Sequence, residues 1–412
     1  MKLNLSKHFR IYYNKITGSI AFYPALLAIS FLLLTWVMLV IDFSEWGKTI
    51  KSNTSWLSLK DATTARSIIS TIAGAVISLT VFSFSMVMIV LNQAASQMTN
   101  RVLSSMIGNR FQQTVLGFYI GTIVYALFLL STIRDISSGV YIPALSIYML
   151  ILLTVIDIFL FIYFLDYVTQ SVKYETVITR VQVKTMRKLQ EEYNQDSQLT
   201  VTWSELPFVQ IKTIHSNYFQ GFSEKTLLDI CSKENLYISF LHQKGSFLLK
   251  DIPLLNVYSK NPVKPSILLD IAAANDFYNG QPIDLNADYG FKQLAEIAIK
   301  ALSPGINDPG TAVLALHSLA DLLAYRLYNN YQNIKIDANG DARIYIPNSS
   351  FIELFNYCIY PIWKYGKKDP YIQSAIKEIV RQLRIVDFKN SQAKDFSDLS
   401  ELINIETNKK FW

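Results

Sequence analysis

The chain is 412 residues long, 51% hydrophobic and only 17% charged, with a net charge of +6, whereas an ordinary soluble protein carries about 25% charged residues. The deficit is local: residues 1–170 hold 11 Lys/Arg and 6 Asp/Glu, leaving 27 and 26 for the remainder. That asymmetry excludes a uniform soluble domain, and because the basic excess lies outside the water-soluble part, the +6 is not the footprint of a nucleic-acid binder.

A bilayer core about 30 Å thick takes about 20 apolar residues in a helix. Four segments meet that requirement: 22–41, 67–91, 115–133 and 140–168, the last interrupted by Asp157 and Asp166. The basic stretch before the first run looks like a signal-peptide n-region, but IDFSEWGK follows the run in place of a small-x-small cleavage site, so a retained helix is expected. Basic residues cluster in the N-terminal arm, in the second loop (Arg101, Arg110) and after the fourth span, where Lys173, Arg180, Lys184, Arg187 and Lys188 follow one another. By the positive-inside rule both termini and the large C-terminal part are expected in the cytoplasm.

The second span is the most informative. No charge intervenes between Arg66 and Arg101, and 34 residues in helix would reach about 51 Å, beyond the hydrocarbon. Thr71, Ser78, Ser85, Asn92 and Thr99 recur every seven residues, with Gly74, Val81, Met88 and Ala95 between them. Such spacing marks one helix face. One reading is a water-filled pathway in an oligomer, in which Thr71, Ser78, Ser85, Asn92 and Thr99 solvate ions while Val81 and Met88 form a dewetting constriction. The other is helix packing through small residues, with hydroxyls bonded across an interface or back to their own backbone.

In the third span, Gly117 and Gly121 have the GxxxG spacing that lets helices approach closely. Asp157 is an intramembrane carboxylate, costly at a helix centre and so a candidate cation site or proton relay. Two blander readings compete: a helix ending near residue 156, or a neutral carboxyl hydrogen-bonded to a Tyr or Ser of a neighbouring span. Arg134 and Asp135, between spans three and four, read as an interfacial pair.

Beyond the fourth span, apolar positions at Val168, Val172, Val177, Val181 and Leu189 predict a helix leaving the membrane, with Glu191 and Glu192 on its solvated side. Short β-rich runs follow (LTVTW, FVQIKTI, LYISFL, SFLLK, LNVY) around a helix SEKTLLDICSKEN. From residue 266 the pattern turns helical, and Asp308 before Pro309 reads as an N-cap and first-turn proline. The expected fold is thus an α-helical membrane protein with four transmembrane helices and a C-terminal α+β cytoplasmic domain. It divides into 1–172 (transmembrane), 173–265 (helical linker and small β-rich module) and 266–412 (mainly helical).

ALSPGINDPGTA, preceded by DYGFKQLAEIAIK, together with LNQAASQMTNRVL after span two and LGFYIGTIVYALFLL in span three, resembles the bacterial family of predicted membrane proteins known as domain of unknown function 2254. The likeness covers most of the chain, and its specific motif is Ser303, Pro304, Gly305, Asn307, Asp308 and Pro309. This chain departs from the family pattern at Asn100, where a Pro usually precedes the Arg. The resemblance implies four N-terminal spans and a cytoplasmic C-terminal region in a bacterial inner membrane, and it brings no activity. The motif loop reads first as cap and turn; as a site, Asn307 and Asp308 would offer oxygens to a cation or contact another subunit.

His8, His215, His242 and His317 are scattered, no GxSxG, HExxH or P-loop pattern occurs, and Cys231 and Cys358 lack metal-ligand spacing. No enzyme, catalytic residue, metal or cofactor is therefore expected. The expected partners are the lipid bilayer, further copies of the chain and inorganic ions, with no nucleic acid. The leading expectation is an oligomeric channel-like pore lined by span two, and the alternative is a membrane-anchored sensor or scaffold with a ligand- or partner-binding cytoplasmic domain.

Overall fold

The computed structural model describes residues 21–53, 61–97, 110–133, 142–193, 203–329 and 333–387. They belong to two compact units, Met1–Lys173 and Tyr174–Trp412. In the first, four helices are long and apolar enough to cross a membrane: α1 (Phe22–Phe43), α3 (Ala62–Gln97), α4 (Arg110–Thr132) and α5 (Ala144–Ser171). A short helix, α2 (Glu45–Asn53), follows α1.

All four expected spans are helical, with ends that differ from the apolar runs: α1 and α5 run on to Phe43 and Ser171, α3 and α4 begin earlier at Ala62 and Arg110, and α5 begins only at Ala144. The 36-residue α3 starts five residues ahead of its apolar run because Asp61 caps it, accepting the backbone N–H of Thr64 at 2.8 Å and the Thr64 hydroxyl at 2.6 Å. In α4, a Cβ on Gly117 would lie 2.5 Å from Leu27 Cδ1, and one on Gly121 would lie 2.6 Å from Phe31 Cγ. The two glycines therefore let α1 lie against α4. Buried side chains form two apolar clusters, one around Ile69, Tyr125, Leu129, Ile147 and Leu150, the other around Val76, Val115, Tyr119, Phe164 and Val168. Helix α5 runs unbroken past Asp157 to Ser171, so a helix end near residue 156 is excluded.

Helix does not continue through to Leu189, as the apolar periodicity suggests. It stops at Ser171, whose hydroxyl bonds back to the Val168 carbonyl at 2.8 Å, and restarts as α6 (Tyr174–Tyr193).

In the second unit, β1 (Phe208–Lys212), β3 (Tyr237–Phe240), β5 (Pro253–Tyr258), β7 (Ile334–Ile336) and β8 (Ala342–Tyr345) make a sheet of order β1-β5-β3-β8-β7. Its pairs are antiparallel except β3–β8. A smaller sheet, β4-β2-β6, uses Phe247–Leu248, Asn217–Phe222 and Asn275–Phe277. The helices α7 (Glu224–Glu234) and α8 (Pro265–Ala273) cover a core that includes Phe219, Cys231, Phe240, Leu255 and Ile344. Because β7 and β8 join β3, the larger sheet draws strands from both sides of residue 265, and the β-rich module is not confined to 173–265. The run LTVTW lies almost wholly outside the described residues; Trp203, its last residue, stacks on Tyr237.

The remaining helices, α9 (Asp288–Ala301), α10 (Pro309–Tyr328), α11 (Phe351–Gly366) and α12 (Pro370–Val386), pack together with α6. A Cβ on Gly290 of α9 would stand 1.7 Å from Thr185 Oγ1 of α6, so the crossing of these two helices requires glycine there.

Candidate functional site

The heptad-spaced face of α3 lies on the outside of its unit. Thr71, Ser78, Val81, Ser85, Met88 and Asn92 are all exposed, whereas Ala65, Ile69, Ala73, Val76 and Ser83 on other sides of the helix are buried. A Cβ built on Gly74 meets nothing within 4 Å. Ser78 and Ser85 donate to the carbonyls of Gly74 and Val81, each at 2.9 Å, which satisfies their protons within the helix and leaves the hydroxyl oxygens as acceptors. Thr99, like Arg101, Arg134 and Asp135, lies outside the described residues.

Asp157 is elsewhere. It is fully buried, in α5 between the two apolar clusters, and neither carboxyl oxygen has a hydrogen-bond partner among the described residues. The Thr122 hydroxyl of α4 lies close to it, Tyr119 lies within electrostatic reach, and Ser83 of α3 lies close to Tyr119. The oxygens of Ser83, Tyr119 and Thr122 are likewise buried without a closed hydrogen bond. Three helices thus bring one carboxyl and three hydroxyls into the same interior region, where Asp157 neighbours Thr122 and Tyr119 and Tyr119 neighbours Ser83, oxygens of the kind that a proton or a small cation uses. This grouping was only half visible in sequence. Thr122 and Tyr119, spaced by three, share a face of α4, but no spacing rule joins them to Ser83 or Asp157.

A second buried carboxylate escaped the sequence reading. Asp42, at the end of α1, accepts from Ser146 N at 2.7 Å, Ser146 Oγ at 2.7 Å and Leu145 N at 3.3 Å, and it is ion-paired with Lys51 at 2.9 Å. It caps the first turn of α5, where Pro143 supplies no side-chain cap. Tyr125 donates to the Ser146 carbonyl at 3.0 Å from the other side. The role is structural, and an Asp closing an apolar run is its signal.

In the second unit, Asp308 caps α10 by accepting the Thr311 N–H at 3.1 Å, while Pro309 occupies the first turn. Asn307 takes a left-handed conformation (φ 50°), and its N–H and that of Ile306 donate to the Ser303 carbonyl at 2.9 Å. Ser303 bonds back to Lys300, and Pro304 and Gly305 are exposed at the tip. The motif is a tight helix–helix connection with Asp308 already engaged. Among the described residues no group of three or more His, Cys, Asp or Glu is arranged to hold a metal ion.

Glu191 is exposed, but Glu192 is largely buried, correcting its assignment to the solvated side of the helix. Burial raises its pKa against the opposing pull of Lys244 and Lys188, and burial likewise lowers that of Lys244. Cys231 and Cys358 are buried; burial pushes the Cys231 thiol up to about 12 and raises that of Cys358 further, which makes both inert as nucleophiles.

Four apolar helices packed as one unit, followed by a mixed α/β unit, define a multi-pass membrane protein. More particularly, the chain belongs to the family described as Predicted membrane protein (DUF2254), whose model matches residues 17–382. It is similar to uncharacterised proteins of Mycobacterium bovis and of Mycobacterium tuberculosis, each 23% identical over 331 residues, covering 77% of this chain and 63% of the relative. The match thus spans less than two thirds of the relatives' length. No solved structure matches the chain.

Proposed function

We propose that the protein is an oligomeric, channel-like pore of a bacterial inner membrane, with α3 lining the pathway and a cytoplasmic C-terminal unit assembling or gating it. The observation that carries this reading is the outward face of α3. Among the described residues no helix covers its small and hydroxylic residues, so packing between the described helices does not account for them. Turned toward a symmetry axis, that face would present hydroxyl oxygens to ions at Thr71, Ser78 and Ser85 and an amide at Asn92, with Val81 and Met88 as the apolar constriction.

The test is conductance of the full-length protein in planar bilayers, in which Ser85→Trp and Asn92→Leu should each alter the current. Thr71→Cys, Ser78→Cys, Ser85→Cys and Asn92→Cys should also react with water-borne thiol reagents; the native cysteines are buried and add little background. Absence of conductance under every ion gradient and under tension, with all four positions protected, would favour the scaffold reading and sink the pore. A second reading, cation- or proton-coupled transport, is favoured by the unpartnered Asp157 carboxyl; it requires Asp157→Asn to abolish uptake while leaving the labelling of α3 unchanged.

A further inference from the structure

Helix α6 carries Arg180, Lys184, Arg187 and Lys188, at intervals that place all four on one face. With Glu191 of the same helix and Asp284 from the connection before α9, they line a pocket of about 330 Å³. The two lysines are neutralised locally: Lys184 pairs with Asp284 at 2.8 Å and Lys188 with Glu191 at 3.2 Å. Arg180 and Arg187 have no hydrogen-bond or ion-pair partner among the described residues. Among the lining residues four cations face two carboxylates, and Glu192, 3.9 Å from Lys188, adds to the neutralisation of that lysine, so the positive excess rests on the two guanidinium groups.

We propose that this pocket binds a phosphate group through Arg180 and Arg187. Their Cα atoms stand about 10.5 Å apart along the helix, a gap that two long side chains can close from either side of one phosphate. The guanidinium fork matches phosphate oxygens in bidentate geometry, and the anionic oxygens, carrying two charges on a free phosphate dianion or one on a phosphodiester headgroup, offset the excess positive charge. Lys184, held toward Asp284, forms the rim between them. A topology signal needs only a count of positive charges near the end of a span; it does not require them to converge on a recess with the lysines paired and the arginines left open. Arg180 follows the end of α5 by nine positions, so the phosphate source is either the headgroup of an anionic phospholipid or free phosphate, and both present the same chemistry to the fork. The site stands whether or not α3 lines a pathway.

The experiment uses the full-length protein in nanodiscs. In one arm, inorganic phosphate is titrated calorimetrically into protein held in phosphatidylcholine alone. In the other, discs contain a minor share of phosphatidylglycerol, and its retention on the protein is measured by native mass spectrometry. Binding in the first arm identifies free phosphate; retention in the second without phosphate binding in the first identifies the lipid. In whichever arm binding occurs, Arg180→Gln with Arg187→Gln should weaken it at least about tenfold, since each charge-assisted contact is worth that much. The pair Arg180→Lys and Arg187→Lys, which keeps the charge and the fold, should fall between this variant and the wild type, and Arg384→Gln, an exposed arginine on α12, should change nothing. Binding of neither probe, or equal loss from Arg384→Gln, would overturn the proposal.

Discussion

Replacing Asp42 by alanine should uncouple α1 from the start of α5. The carboxylate satisfies two backbone N–H groups of the first turn of α5 and one hydroxyl, and it holds Lys51. Loss of a capping side chain costs about 1 kcal/mol and reaches about 2 in buried settings. Breaking a buried ion pair costs about 3–5 kcal/mol when the remaining charge is stranded. Here the remaining charge is not stranded, because the Lys51 side chain is 20% exposed and also donates to the Asp42 backbone carbonyl at 2.7 Å. That range therefore does not apply; the lost cap, about 2 kcal/mol, and the further hydrogen bond to the Ser146 hydroxyl, about 1, set the cost, so Asp42→Ala should lose about 3 kcal/mol, which on the scale of domains of this size corresponds to about 6–12 °C in melting temperature. Asp42→Asn keeps an acceptor for Ser146 N–H and should lose about half as much. Lys51→Met leaves the carboxylate with its N–H donors and should fall near the asparagine variant. The assay is unfolding of the full-length protein in detergent, by heat or by SDS titration, followed by circular dichroism. A melting curve for Asp42→Ala within about 2 °C of wild type, or strictly additive effects of Asp42→Ala and Ser146→Ala, would refute the reasoning, since groups in direct contact must couple.

Two further outcomes follow from the second unit. Gly290→Ala forces a Cβ into Thr185 and should cost about 1–3 kcal/mol in the same unfolding assay, whereas Gly305→Ala, which meets nothing within 4 Å, should be neutral; equal effects would mean that the α6–α9 crossing is not tight. Burial alone would raise the Asp337 carboxyl, but Arg343, Ser232 and the N–H groups of Asp341 and Asn339 outweigh it and hold the group at about 2, below its ordinary 3.8. A depressed folded-state pKa contributes stability that is complete above the unfolded value and disappears as pH falls through the folded one. Wild type should therefore lose stability more steeply than Asp337→Asn between about pH 4 and pH 2, and parallel acid-unfolding curves would contradict the assignment.

What the sequence disclosed, it disclosed through periodicity and length. Four apolar runs announced α1, α3, α4 and α5, because a membrane span is a local property of about 20 residues. The glycine spacing in α4 announced a close contact, although not that α1 would fill it. The hairpin of β7 and β8 was legible in principle: Asn339-Gly340 stands between IKI and ARIY, Gly340 has a positive φ, and such a dipeptide favours the turn. The strands are only three and four residues long, however, so period-two alternation had little room to register. β6 was hidden for another reason: its three residues follow α8 after a single intervening alanine, and the alanine-rich stretch before it reads as continuous helix. Burial of Glu192 was invisible because it depends on Lys244, Asp288 and Arg326 arriving from distant segments.

The two polar features of the membrane unit bear on each other. The serines of the exposed stripe are self-satisfied through their own backbone, so the stripe tolerates lipid and does not by itself demand an aqueous neighbour. The interior group at Asp157 has no such relief, since four side chains from three helices lack closed hydrogen bonds, and an unmet buried polar group costs roughly 1–3 kcal/mol. The energetic demand for a ligand is thus greater inside the bundle than on α3, while the geometric opening is greater on α3. Ser83 links the two, because it lies on the buried side of the same helix whose opposite face is exposed. A rotation of α3 about its axis by roughly half a turn would exchange these faces. Crosslinking of Ser85→Cys between protomers together with protection from water-borne thiol reagents would place the exposed face at a dry subunit contact and move the site to Asp157, whereas solvent access at Ser85→Cys, crosslinked or not, keeps the pathway on α3.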